Sequence, residues 1–287
     1  MNAAAVDPAT THSTTPATAP AVGPWELLDT ARLVLAVHAH PDDESLSTGA
    51  LLATLAAAGT RVVLVTATRG EEGEIVAGAV PAGDPRPLEE IREHEIDAAT
   101  HALGISERHW LGTAPALAPG ASPRRYRDSG MRWVREGLAG PSETAGADSF
   151  SRHPFEDAVE DLAALISLLQ PDAVIGYDDA GTYGHPDHVR AHHVTAGACA
   201  RTGTPMLEVA SEVPAGPSDD PESAARADEL AFFWRDQPEA AAAVRRAVES
   251  YRTQLTVVGD SPGGIAIRHV GGQGDVVALR TGLRLAR

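Results

Sequence analysis

The chain has 287 residues, 43% hydrophobic and 4% aromatic, which suffices for one large domain or a domain with a small appendage. Its 23 basic residues are all Arg and face 40 acidic ones, a net charge of −17. That balance argues against nucleic acid or an anionic membrane as the main partner.

Residues 1 to about 24 are rich in Ala, Thr and Pro without periodicity and read as a disordered tail. They hold no basic residue and no apolar run, so they do not read as a secretory signal. No segment approaches the ~18 apolar residues that span a bilayer. Cys199 is the only cysteine, set among small residues. It reads as a buried helix residue, and the absence of any disulfide fits a reducing, cytoplasmic setting.

Residues 33–38 form a short apolar run expected to be a buried parallel strand. A helix over 45–58, ended by Gly59, and a strand over 62–65 complete a βαβ unit with a right-handed crossover. A second helix is predicted over 87–103 with Gly104 as its stop, and a short strand at 110–111. Residues 112–153 read as a long loop rich in Gly, Pro and Arg, a length that is usually functional. An amphipathic helix follows over 155–169, then a strand over 173–176 and a helix over 188–200. Residues 214–228 read as a surface linker, 238–254 as a helix, and 255–285 as two or three short strands. The expected fold class is α/β, a Rossmann-like, mostly parallel sheet flanked by helices. The domain division is a tail at 1–24, a catalytic core at 25–200 and a small α+β extension at 201–287 that completes the pocket rim.

Two clusters carry the chemistry. His40-Pro41-Asp42-Asp43-Glu44 lies just past the first strand, and Tyr183-Gly184-His185-Pro186-Asp187-His188 just past the strand at 173–176. Open α/β sheets build their sites at such carboxyl ends. Zinc takes imidazole nitrogen and carboxylate oxygen at about 2.0–2.2 Å in tetrahedral geometry. His40 and Asp43, three apart on a turn stiffened by Pro41, can share one ion, with His188 as the third ligand. Water would take the fourth position, where its pKa falls to about 7. Asp42 beside it suits a general base. His185 and Tyr183 could each donate to an oxyanion, and Asp187 could orient one of the histidines. Glu44 caps the next helix or braces a ligand. A set of two His and one Asp also suits Fe²⁺. His38 reads as a packing residue, or alternatively as a support behind the ligands, and His192 and His193 read as ordinary helix residues. A metal-stabilised binding protein without turnover is the rival from another class. A Ser or Cys hydrolase finds no Gly-x-Ser-x-Gly elbow.

The stretch from Ala39 to Glu44, paired with His185 to His188, resembles the hallmark of the LmbE-like (PIG-L) zinc deacetylases. Residues 70–74 (Gly-Glu-Glu-Gly-Glu), 127–131 (Arg-Asp-Ser-Gly-Met) and 181–184 (Gly-Thr-Tyr-Gly) are similar to the branch of that family serving mycothiol biosynthesis. The resemblance covers about residues 32–200, and more loosely 240–258. It implies removal of acetate from N-acetylglucosaminyl-inositol. It implies zinc on His40, Asp43 and His188, and Asp42 as base and then acid to the amine. His185 would stabilise the tetrahedral intermediate with Asp187 tuning it, and Tyr183 would reach the oxyanion from a mobile loop. Arg92 and Asp128 would bind the sugar–inositol, although Arg92 could instead make ion pairs on a helix surface. Mycothiol S-conjugate amide hydrolysis, or deacetylation of another N-acetyl sugar, are the alternatives within the family. The segment between about 200 and 240 is short and departs from the family's continuation. Nothing in the pattern sets an oligomeric state.

Overall fold

The inner strands are apolar on both faces, as a sheet covered by helices on both sides requires. Val34, Ala36, Val62, Leu64, Ala173 and Ile175 join one core, while Leu35, Val37, Val63, Val65 and Val174 join another. The computed structural model describes residues 23–135, 138–143, 145–211 and 232–286.

In chain order the elements are α1 (Pro24–Thr30), β1 (Leu33–His38), α2 (Asp43–Leu46), α3 (Gly49–Ala57), β2 (Arg61–Thr66), α4 (Leu88–Leu103) and β3 (Glu107–Trp110). Then follow β4 (Met131–Arg135), β5 (Leu138–Pro141), α5 (Phe155–Leu169), β6 (Ala173–Tyr177), the single turn α6 (Gly181–Gly184) and α7 (Pro186–Thr202). The remainder comprises β7 (Met206–Val209), β8 (Phe233–Asp236), α8 (Ala241–Ser250), β9 (Leu255–Ser261), β10 (Gly264–His269), β11 (Gly274–Ala278) and β12 (Arg280–Leu285).

The fold is α/β; among the described residues the main sheet has seven strands in the order β3-β2-β1-β6-β7-β12-β8. The pairs from β3 to β7 are parallel, and β12 runs antiparallel to both β7 and β8. Residues of α3, α4 and α8 fill the first core, and those of α5 and α7 the second. Among the described residues no helix is long and apolar enough to cross a membrane.

Several expectations shift. The single helix expected over 45–58 is two, α2 and α3. Thr48 breaks it, because its hydroxyl bonds the Glu44 carbonyl (3.0 Å) and meets His38 Nε2 (2.9 Å). Such a side chain offers the backbone an alternative to the helix ladder. The strand expected at 110–111 runs over Glu107–Trp110. The loop at 112–153 carries the antiparallel strand pair β4–β5. The helix expected from His188 begins at Pro186, which suits a first helical position. The expected tail lies outside the described residues except at its end, where Pro24 opens α1, and the linker at 214–228 lies wholly outside. Strands β7 and β8 were not foreseen, and the C-terminal part has four strands beyond α8 rather than two or three. Three of its strands, β7, β8 and β12, belong to the main sheet, leaving β9–β11 as a separate antiparallel sheet.

The helix expected over 238–254 stops at Ser250 because the next residues turn back onto the first motif. Tyr251 donates its hydroxyl to Glu44 Oε1 (2.7 Å), and Gln254 Nε2 donates to the Pro41 carbonyl (2.7 Å). Thr253 binds Glu95 through both its N–H and its hydroxyl. Tyr251 and Glu44 are fully buried. Tyr251→Phe leaves that carboxylate one donor short, at an expected cost of about 1–3 kcal/mol. Urea denaturation measures it, and an unchanged midpoint would mean that the bond adds nothing.

Candidate metal centre and active site

β1 and β6 are parallel neighbours in the middle of the sheet, with β2 beyond one and β7 beyond the other. The strand order reverses between them, and there a crevice opens at the carboxyl ends. Residues 40–44 leave β1 at this point and residues 182–188 follow β6. This single feature of the topology brings the two clusters together.

His40 Nδ1 lies 3.3 Å from Asp43 Oδ2 and 3.3 Å from His188 Nε2, and His188 Nε2 lies 3.2 Å from Asp43 Oδ1. Ligand atoms about 2.0–2.1 Å from a tetrahedral zinc stand about 3.3 Å apart. The two imidazole nitrogens stand at that spacing, and Asp43 meets each of them at it through a different oxygen, a donor set that suits one zinc-sized ion.

Each group is held from behind. Asp43 Oδ2 accepts the His40 N–H (2.8 Å) and the Tyr177 hydroxyl (2.7 Å), which leaves Oδ1 for an ion. The Tyr177 oxygen in turn accepts the Ala39 N–H (2.9 Å), and its ring stacks on His188 at 4.5 Å. Thr182 Oγ1 meets His188 Nδ1 at 3.1 Å, turning Nε2 towards Asp43. His40 sends its Nε2 to Asp187 Oδ2 (3.2 Å), with Asp128 Oδ1 at 3.6 Å. Partners of this kind fix ring orientation and raise ligand basicity.

Among the described residues, two triples place one ligand atom from each member within 4.8 Å of one another, His40 with His185 and His188, and His40 with Asp128 and Asp187. Both suit an ion less well. His185 Nδ1 accepts the Asp187 N–H (3.2 Å), which places its own proton on Nε2 and makes that nitrogen a donor. Burial, then the charges of His40 and His188, push the His185 imidazole down to about 2, so it stays neutral. Asp187 is committed to Ser129, whose N–H and hydroxyl it accepts.

Asp42 sits at φ 116° and ψ −31°. A non-glycine residue there stores about 1–3 kcal/mol of strain, and such strain concentrates at functional sites. Its carbonyl starts α2, accepting from Ser45 and Leu46, and its N–H meets Glu44 Oε2 at 3.3 Å. The carboxyl is half-buried against the cavity. Burial, then the neighbouring Asp43 charge, push it well above the usual carboxylate range. Burial opposes ionisation of Asp43 as well, yet His188 and His40 hold that carboxyl well below its ordinary value.

The cavity is about 1100 Å³, and His40, Asp42, Arg92, Asp128, Tyr183 and His185 all line it. Arg92 is 1% exposed, so the alternative of helix-surface ion pairs does not hold. Its Nη2 donates to the Glu74 carbonyl (3.1 Å), and a Cβ at Gly73 would fall 2.6 Å from Nη1. Only glycine lets the guanidinium through at that point. Asp128 accepts the N–H of Gly130 (2.8 Å) and of Glu72 (3.3 Å). The Tyr183 ring lies 6.0 Å from that of His185 and 5.7 Å from that of His188. Burial raises its hydroxyl, keeping it a donor.

Asp187 reaches two of the histidines by different groups. The Asp187 carboxylate reaches His40 and Ser129, and only its backbone N–H serves His185. The helix dictates this: Asp187 sits in the first turn of α7, where its N–H is free and its side chain points across to the first motif. Tyr177, Thr182 and Ser129 were missed. Tyr177 is the last residue of β6, one place beyond the expected strand end, and that position was its only signal.

A family model described as GlcNAc-PI de-N-acetylase (PIG-L) matches residues 35–199. A 1D-myo-inositol 2-acetamido-2-deoxy-alpha-D-glucopyranoside deacetylase of Kineococcus radiotolerans is 42% identical over 170 residues, 59% of this chain and 45% of that protein. A protein of the same description from Actinosynnema mirum is 34% identical over 252 residues, covering 80% of this chain and 83% of its own. The matched part spans about half the length of the first curated relatives, for example 55% in Nocardioides and 57% in Thermobifida fusca. Among solved structures, N,N'-diacetylchitobiose deacetylase from Pyrococcus horikoshii shares the fold, with TM-score 0.53, 18% identity and coverage of 79% and 72%.

Proposed function

We infer the function of this chain from one premise: it belongs to the PIG-L family of GlcNAc-PI de-N-acetylases. It is proposed to be a zinc-dependent hydrolase that removes acetate from N-acetylglucosaminyl-inositol, as the descriptions of its curated relatives suggest. The observation that carries the reading is the convergence of the His40 and His188 imidazoles, 3.3 Å apart, on the Asp43 carboxylate, whose two oxygens lie 3.3 and 3.2 Å from them, beside a cavity that Asp42 and His185 also line.

In this reading His40, Asp43 and His188 hold the ion. When bound, it supplies Lewis acidity that lowers the pKa of water and polarises the amide carbonyl. Asp42 takes the proton of the attacking water and returns it to the leaving amine, a role that a raised carboxyl pKa suits at neutral pH. His185 donates from Nε2 to the oxygen that gains negative charge, and Tyr183 adds a second donor. Asp187 fixes both histidines, through its carboxylate on His40 and its N–H on His185. Arg92 and Asp128, on the cavity wall, bind hydroxyl groups of the sugar–inositol.

Metal analysis of the purified full chain, together with acetate release from N-acetylglucosaminyl-inositol, tests this. About one zinc or iron per chain and steady acetate release are expected. A mycothiol S-conjugate amide assayed alongside should turn over more slowly. The reverse order would assign the amidase reaction, and bound metal without hydrolysis of either would leave a binding protein.

A further inference from the structure

Trp133 is 53% exposed yet lines the cavity that holds the candidate metal centre. In a cavity wall, a large exposed aromatic offers a ligand a flat apolar face. It stands on β4, opposite the small Ala139 of β5. Its ring is tilted 39° against Tyr183 at 5.5 Å, and Tyr183 lies 5.7 Å from His188. Trp133 is thus two ring-to-ring steps from a ligand of the ion, too far to meet the reacting amide and placed to meet what the amino sugar carries.

The other tryptophan in the wall, Trp234, differs. A Cβ at Gly282 would fall 2.7 Å from its ring, so the ring lies on the Gly282 backbone, and the Arg280 guanidinium sits 5.1 Å from its centroid. Its faces are taken by the protein. A cavity of about 1100 Å³ is at or above the upper end of ligand sites, roughly 300–1,000 Å³, and has room beyond one amino sugar.

We propose that Trp133 is a stacking platform for the ring attached at the anomeric oxygen of the amino sugar, and so a specificity-determining residue for glycosides over the free sugar. The electron-rich face of the indole attracts the C–H groups on the flat face of a cyclitol or sugar. This deepens, and rests on, the deacetylase reading.

The test compares kcat and KM for acetate release by the metal-loaded full chain, by Trp133→Ala and by Trp133→Phe. The substrates are N-acetylglucosaminyl-inositol and free N-acetylglucosamine. Trp133→Ala is expected to raise KM for the inositol glycoside about tenfold, with kcat and the KM of the free sugar each within about twofold, as for an aromatic anchor. Trp133→Phe should recover most of the loss. An unchanged KM overturns the proposal. An equal rise for both substrates does so too, since Trp133 would then only prop Tyr183. A binding measurement needs no turnover: glucosaminyl-inositol should perturb tryptophan emission in the wild type and lose most of that change in Trp133→Phe. The same emission change in both proteins is a refutation. If the wild type deacetylates another N-acetylglucosamine glycoside and not the inositol one, the substrate reading alone has failed. The KM comparison then runs on that glycoside, where a selective rise in Trp133→Ala upholds the platform and its absence removes it.

Discussion

Asp42→Asn is expected to keep its metal and to lower kcat by a factor of about 10² or more, the usual loss on removing a general base. Asn is the informative choice because position 42 has φ 116°. Asn and Asp tolerate positive φ better than other side chains with a Cβ, so Asn holds the turn and the ligands on either side of it. It keeps the size of the carboxylate and removes only the proton acceptor. KM should stay within a few-fold, because in the proposed mechanism Asp42 acts on the attacking water. Metal content, kcat and KM are read on the same preparation. Full metal with more than about a tenth of the wild-type kcat would take the base role from Asp42 and pass it to another carboxylate of the cavity, with Asp128, 3.6 Å from His40, the candidate.

The metal-site residues that sequence made legible share one property: they sit at strand ends in an open α/β sheet. A short apolar run followed by His-Pro-Asp-Asp-Glu states both a buried strand and what emerges from it. The same holds for the run at 173–176 and the later His and Asp residues. Adjacency of β1 and β6 was not written in either motif. It follows from pairing between strands 139 residues apart, Val34 with Ala173, and the chemistry of two clusters that need one ion pointed to it indirectly. What stayed hidden depends on contacts with no local pattern. Tyr177 reads as a strand aromatic until its hydroxyl is seen between Ala39 and Asp43. Tyr251 and Gln254 read as the end of a helix, yet they bind the first motif from more than 200 positions away. The break at Thr48 was hidden for the same reason, since its hydroxyl serves His38 and Glu44 rather than the helix. Strand β8, at the edge of the main sheet, carries the exposed Arg235 and Asp236 beside its aromatic residues, so periodicity gave it little contrast.

Stripping the metal and replacing Asp43 by Ala should both abolish acetate release, yet with different consequences for the fold. In the ion-free protein the three ligand groups remain braced by Tyr177, Thr182 and Asp187, none of which needs an ion to hold its hydrogen bonds. The apoprotein is therefore expected to stay folded and to regain activity on adding zinc. It should melt lower than the loaded form, by up to about 4 kcal/mol when free zinc exceeds Kd a thousandfold. Asp43→Ala removes a ligand and, with it, the acceptor for two buried donors, the Tyr177 hydroxyl and the His40 N–H. Each unpaired donor costs about 1–3 kcal/mol. Asp43→Ala should thus melt below the wild-type apoprotein when both are free of metal, and zinc should restore neither its stability nor its activity. Equal melting of the two apoproteins would mean that Asp43 serves the ion alone and that the Tyr177 bridge contributes nothing to the fold. Zinc-restored turnover in Asp43→Ala would move the third ligand elsewhere, with His185 the nearest candidate by its place beside His40 and His188.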